Sequence, residues 1–175
     1  GVERYEAAVS LVKALRAQAV KTAVVSSSRN CKTVLEAAGI AQLFDARVDG
    51  VELERLGLAG KPAPDMFVEA AQRLRCDPDR AVVVEDAVAG VAAGRAGAFA
   101  LVIGMDQGGR SQELREAGAD VVVTSLAQVR VSAEPPSAWS FVYDEFDAER
   151  EGMREALCAL GNGYFATRGA AAWSS

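Results

Sequence analysis

Apolar and polar positions follow two periods along this chain, and the two alternate. From about Tyr5 to Ala17, Ala8, Leu11, Val12 and Leu15 recur at helical spacing. Val20–Val25 reads as a strand that ends on Ser26-Ser27-Ser28-Arg29-Asn30. The next helix carries Cys31, Val34, Leu35 and Ala38 on one face and stops at Gly39, a common helix-end residue. Phe44–Val48 predicts a short strand, and Asp49–Gly60 has no clear period. Asp65 opens a helix whose apolar stripe is Phe67, Ala70, Ala71 and Leu74. Ala81–Val84 is an apolar, β-branched run that stops on Glu85-Asp86, and a helix pattern begins in Ala87–Gly94. Ala98–Ile103 and Asp120–Val123 predict two further strands, with a helix around Ser111–Ala117 between them.

Strands alternating with helices at this pitch imply βαβ units, hence an α/β fold with a three-layer parallel sheet and helices on both faces. A strand covered on both faces loses its polar alternation, as Ala81–Val84 does. Right-handed crossovers place the carboxyl ends of the strands on one edge. Ser26 and the Glu85–Asp86 pair should therefore share that edge, where open α/β sheets bind their ligands.

The pattern changes near Ser132. Ala133-Glu134-Pro135-Pro136-Ser137 reads as a linker, because two prolines cannot continue a sheet. Beyond it, Trp139–Tyr143 predicts a strand, Asp147–Leu160 a helix, and Gly161-Asn162-Gly163-Tyr164-Phe165 a turn. The expected organisation is an α/β core over 1–130, a linker over 131–138, and the start of a second domain over 139–175. The first residue is Gly1 and a helix pattern follows almost at once, so the chain reads as an excerpt of a longer protein.

Composition narrows the chemistry. With 175 residues, 50% hydrophobic and 25% charged, the chain is long enough for one well-packed core. A net charge of −5 argues against a nucleic-acid partner. No apolar run is long enough to span a bilayer, so no membrane partner is expected. The 3 cysteines, Cys31, Cys76 and Cys158, are scattered without metal-ligand spacing, and a reduced, cytoplasmic setting fits them. Histidine is absent, which removes Ser-His-Asp and Cys-His catalysis within this chain.

Four features converge on the predicted sheet edge. Ser26, with Ser27 and Ser28 behind it, offers a hydroxyl and successive backbone N–H groups, a ready anion site; a plain helix cap is the other reading. Lys61 precedes Pro62 and Pro64 in a stiff segment, and such a lysine can neutralise a phosphoryl group; the other reading is a solvated surface lysine. Glu85 and Asp86 are adjacent hard donors suited to Mg²⁺, or they cap the helix that follows. Arg29 and Asn30 lie where they would touch a substrate or face water.

Ser26 at a strand end, Lys61-Pro62-Ala63-Pro64-Asp65, and Val84-Glu85-Asp86-Ala87-Val88-Ala89-Gly90 occur in the order and approximate spacing of motifs two, three and four of the haloacid dehalogenase superfamily. The chain most resembles its β-phosphoglucomutase-like branch, over about Tyr5 to Val129. The resemblance implies that Ser26 and Lys61 act on the transferring phosphoryl group, with the Ser27 amide helping. It implies that Glu85 and Asp86 hold Mg²⁺ and that Arg29 and Asn30 contact a small-molecule sugar phosphate. The first motif of that family, Asp-x-Asp on the central strand, supplies its nucleophile and its general acid-base group. We find no such motif at a strand end here, and Asp45, Asp49 and Asp106 lack its context. A missing N-terminal segment of the same parent chain is thus an expected partner, and the chain alone is expected to be inert with a weakened Mg²⁺ site. The absent strand would run between Val20–Val25 and Ala81–Val84; without it, those two strands should pair directly or leave exposed edges.

The tail carries a second likeness. Phe146-Asp147-Ala148-Glu149-Arg150-Glu151, Arg154-Glu155-Ala156-Leu157 and Gly161–Gly169 resemble the opening of the glycoside hydrolases and phosphorylases that act on maltose, trehalose and kojibiose. A disaccharide phosphorylase fused to a β-phosphoglucomutase would join two consecutive reactions, release of β-glucose 1-phosphate and its conversion to glucose 6-phosphate. A non-catalytic sugar-phosphate-binding module beside a phosphorylase is the alternative. A receiver-like signalling domain fits least, since it needs an acceptor aspartate on an intervening strand end.

Overall fold

The computed structural model describes residues 5–134, 138–140 and 164–167. Its first half contains α1 (Glu6–Ala17), β1 (Lys21–Val25), α2 (Cys31–Ala37), β2 (Ala46–Val48), α3 (Gly50–Leu56) and α4 (Asp65–Leu74). The second half contains β3 (Ala81–Glu85), α5 (Val88–Ala96), β4 (Leu101–Met105), α6 (Ser111–Glu116) and β5 (Val121–Val123). Three short strands follow: β6 (Ser132–Glu134), β7 (Ala138–Ser140) and β8 (Tyr164–Thr167). The predicted α/β class holds, with helices on both faces of a largely parallel sheet.

The six-stranded sheet runs in the order β2-β1-β8-β3-β4-β5. Every main-sheet pairing is parallel except those of β8, which is antiparallel to both β1 and β3. From β1 the chain steps through α2 to β2, while from β3 it steps through α5 and α6 in the opposite direction. Right-handed crossovers put α2 on one face and α5 and α6 on the other. The reversal lies between β1 and β3, which makes their carboxyl ends the place for a ligand. Val24 packs with Cys31 and Leu35 of α2, whereas Ala23 and Val25 belong to the main core with α1 and α4, as side-chain alternation along a strand requires.

Three expectations need correction. β1 and β3 do not pair directly and their inner edges are not exposed, because Tyr164–Thr167 lies between them. Tyr164 and Phe165, expected in a turn, are the first two residues of that strand; 161–163 lie outside the described residues, as do the helix expected over 147–160 and Cys158. Finally, the aperiodic stretch after Asp49 contains α3. Asp49 caps it, accepting the N–H groups of Val51 and Glu52 at 3.1 Å each, and Gly57 ends it with φ 64°. The polar stretch after Val131 does not join the main sheet; β6 pairs with β7 in a separate two-stranded ribbon.

Asp49 is buried and also takes a hydrogen bond from Arg47 Nε at 2.7 Å. Asp49→Ala should therefore cost about 2 kcal/mol in urea unfolding, and Asp49→Asn, which can still cap the helix, about half of that. Equal losses for the two would deny the cap its share.

Candidate functional site

The site is built on the ends of β1 and β3. Ser26 follows β1 directly, and its N–H donates to Val48 O at 3.0 Å. Its hydroxyl accepts from Ser28 N at 3.2 Å, and Ser28 Oγ accepts from Asn30 N at 3.1 Å, so side chains shape the loop into two successive turns. Gly50 backs this loop closely: a Cβ there would lie 2.5 Å from Ser27 O and 3.0 Å from Arg29 N. Ser27, Arg29 and Asn30 are exposed, and Ser26 is half-buried.

Lys61 reaches the end of β3. Its loop is closed by Asp65, whose carboxylate accepts Ala59 N at 2.9 Å, and by Ala63 N donating to Gly60 O at 3.0 Å. Pro62 and Pro64 stiffen the same segment. The ammonium contacts the Glu85 carboxylate and stands 4.9 Å from the centroid of the Phe67 ring. The pair is secluded, with 13% of the Lys61 side chain and 1% of that of Glu85 exposed. Lys61 is therefore not a solvated surface lysine. Burial pushes the Glu85 carboxyl above its ordinary value, while the Lys61 charge and hydrogen bond and the Ala87 N–H pull it back.

Glu85 fits only because Gly90 has no side chain: a Cβ there would fall on the Glu85 carboxyl group. Capping explains little of this geometry. α5 has no side-chain cap, and Glu85 Oε2 only accepts Ala87 N at 3.3 Å. Asp86 is half-buried beside it, and its backbone carbonyl accepts Arg110 Nη2 at 3.1 Å. Arg110 escaped the sequence reading. It leaves a loop organised by buried Asp106, which accepts the N–H groups of Gly108 and Arg110 at 2.9 Å each and the Ser111 hydroxyl. Those bonds hold the Asp106 carboxyl well below the usual carboxylate range.

The structure thus brings Lys61, Glu85 and Asp86 together. Ser26 and Ser27 stand on the same edge across one intervening strand, roughly 10 Å away by strand spacing. Arg29 is turned to Glu54 of α3, with 2.6 Å between Nη1 and Oε1. Asp45 and Asp49 are occupied structurally: Asp45 accepts from Arg16 and Thr22, and Asp49 caps α3.

Two oxygen donors at a sheet edge, one of them shared with a lysine, suit an ion that takes one or two protein carboxylates and completes its shell with water and phosphate oxygens. That describes Mg²⁺. Among the described residues no group of three or more acidic, His or Cys side chains is arranged to hold a metal.

Known proteins similar to this chain define its family. The haloacid dehalogenase-like hydrolase family matches residues 3–97. The chain belongs to that family. Residues 141–175 match the N-terminal domain of glycosyl hydrolase family 65. A β-phosphoglucomutase of Mycobacterium bovis is 47% identical over 132 residues, covering 74% of this chain and 50% of the relative. A trehalose-phosphate phosphatase of Mycobacterium leprae is 42% identical over 130 residues, 72% of this chain and 28% of the relative. The chain spans about half the length of the β-phosphoglucomutase it matches. Among solved structures, a haloacid dehalogenase family hydrolase from Deinococcus radiodurans with bound phosphate and sodium superposes with a TM-score of 0.61 at 35% identity, covering 70% of this chain and 55% of that one. No described helix is long and apolar enough to cross a membrane.

Proposed function

We propose that this haloacid dehalogenase-like unit serves Mg²⁺-dependent phosphoryl transfer on a sugar phosphate, as a β-phosphoglucomutase-like mutase or a phosphatase, within a longer parent protein. The observation that carries this reading is the secluded Lys61–Glu85 pair at the carboxyl ends of the strands, beside Asp86 and at the point where strand order reverses. Phosphoryl transfer depends on positioning and on charge neutralisation. Lys61 supplies a fixed cation, and the Ser26 hydroxyl and Ser27 N–H supply donors for phosphate oxygens. Asn30 and, on leaving Glu54, Arg29 would meet the sugar from the exposed rim. Asp86 and Glu85 would hold Mg²⁺, which when bound neutralises charge on the transferring group. Glu85 then has two roles, steadying the Lys61 ammonium and sharing an oxygen with the ion.

Asp45, Asp49 and Asp106 are bound into the fold, and on this reading the nucleophile comes, as the resemblance to the family's Asp-x-Asp motif implies, from an N-terminal segment of the parent. Names of relatives include both a mutase and a phosphatase, and the match of 141–175 adds a glycosyl hydrolase family 65 context. β-Glucose 1-phosphate is therefore the substrate to try first. The central position of β8 favours a second reading, an accessory module that binds a sugar phosphate without turning it over.

Turnover of β-glucose 1-phosphate with Mg²⁺ should be measured for this chain and for its longer parent. The parent is expected to be active and the chain inert, and Lys61→Ala in the parent should lower kcat by about a hundredfold or more, the usual scale for losing one preorganised charge. An inert parent whose α/β unit still binds the sugar phosphate would favour the accessory module. Turnover by the chain alone would place a nucleophile within it.

A further inference from the structure

The ladder between β3 and β4 ends where Glu85 registers on Gly104. Asp86 lies one residue beyond it, and α5 begins only at Val88, with no side-chain cap. The Asp86 carboxylate therefore sits on a short step outside both the ladder and the helix. Arg110 reaches that step, with Nη2 donating to Asp86 O at 3.1 Å. The bond goes to the backbone, so it holds the turn without occupying the carboxylate. Arg110 is exposed, yet its own backbone is fixed from both sides. Asp106 N donates to Val123 O at 2.8 Å, which ties the loop to β5, and the Asp106 carboxylate accepts Arg110 N at 2.9 Å. Arg110 O accepts Leu114 N at 3.0 Å, and Leu114 is fully buried under α6. Between these anchors Gly109 takes φ 75°, a left-handed conformation that glycine adopts without strain. A planar guanidinium presented from so fixed a loop also loses less freedom per hydrogen bond than a lysine would.

We propose that Arg110 is a positioning residue for the ion site: by holding the Asp86 carbonyl, it sets the direction in which the Asp86 carboxylate points. The inference rests on the Mg²⁺ reading of Asp86 and brings the loop after β4 into that site. Mg²⁺ demands near-octahedral geometry and tolerates a misdirected donor poorly. Groups that orient a metal ligand without touching the metal commonly change affinity by roughly ten- to a hundredfold when removed. Arg110 stands in that relation to Asp86. It cannot be a ligand itself, because a guanidinium has no acceptor atom. Its positive charge also works against a nearby cation. Charge and geometry thus act in opposite directions. If only charge mattered, removing Arg110 would tighten ion binding; if Arg110 aims the carboxylate, removing it weakens binding. The sign of the change separates the two.

Mn²⁺ binding to the longer parent protein tests this, followed as loss of the free-ion electron paramagnetic resonance signal. Mn²⁺ takes the same oxygen donors as Mg²⁺. Asp86→Asn identifies the share of the binding that belongs to the site. Arg110→Met is expected to raise the Mn²⁺ Kd at least about tenfold, and Arg110→Lys, which keeps a donor for the carbonyl, to recover part of that loss. Because Arg110 is exposed, the urea midpoint of Arg110→Met should stay within the range of an ordinary surface change. A Kd that is unchanged, or lowered as loss of a positive charge alone would make it, overturns the proposal. So does a loss that Arg110→Lys leaves in full, or one that the urea midpoint follows. Binding that needs Asp86 but not Arg110 overturns this inference alone. Absence of binding, or binding that Asp86→Asn does not reduce, sinks the Mg²⁺ reading and this inference with it.

Discussion

Gly90→Ala is expected to destabilise the chain by about 2–4 kcal/mol, although alanine is by itself the better helix former. Gly90 is buried in α5, and the Cβ it lacks would coincide with the Glu85 carboxyl group. In an exposed helix the exchange would gain about 1 kcal/mol. Here overpacking costs about 1–3 kcal/mol, and pushing a buried carboxylate off its lysine approaches the 3–5 kcal/mol typical of a broken buried pair. The steric and electrostatic losses exceed the propensity gain. Urea unfolding at neutral pH measures the difference, with Gly108→Ala as control, because nothing lies within 4 Å of a Cβ there. The two sites separate cleanly in a double-mutant comparison: in a Glu85→Ala background, Gly90→Ala should become neutral or stabilising. A loss below about 0.5 kcal/mol in the wild-type background, the range of an ordinary surface change, would mean that Glu85 is not seated against α5.

Those atoms show why part of the site was legible in the sequence. Ala81–Val84 ends abruptly in Glu85-Asp86, and Lys61 is bracketed by Pro62 and Pro64; both signals are local, and a parallel sheet places both at one edge. Gly90 was visible as a helix residue, but its closeness to Glu85 depends on how α5 packs over β3. α3 was missed because its sequence has little apolar periodicity. A signal was nonetheless present, since Asp49 precedes Glu52 by three residues and Gly57 follows the last turn, an arrangement of caps at both ends. Arg110 and Asp106 were not readable. Their bonds join the loop after β4 to the end of β3, and the register of two strands decides that contact. β8 was the largest departure. Gly161-Asn162-Gly163 gives a strong turn signal, and four residues after it carry too little pattern to announce a strand. Only the sheet order shows that a slot exists for them.

Lys61→Met should be costly near neutral pH and much less so in acid. Methionine keeps an apolar stem over the Phe67 ring but removes the charge that meets Glu85. Glu85 is then a buried carboxylate without its cation, a loss of about 3–5 kcal/mol at pH 8. The sign of the pH dependence follows from the direction in which Glu85 is shifted. Its folded-state value lies above the ordinary 4.5, because burial outweighs the lysine. Between those two values the folded state holds more protons than the unfolded one, so the contribution of Glu85 is greatest below 4.5 and falls as pH rises through the window. Removing Lys61 takes away a downward pull, raises the folded value further and widens the window. The stability difference between wild type and variant should thus grow from about 1 kcal/mol near pH 4 to its full size by pH 8. Comparing the two proteins at each pH cancels the titration of groups they share. Adding Glu85→Gln to Lys61→Met should remove the pair's contribution to the variant's own pH dependence, since no titrating group then remains in it. A variant equally destabilised at both pH values would show that Lys61 stabilises through its packing and not through the Glu85 charge.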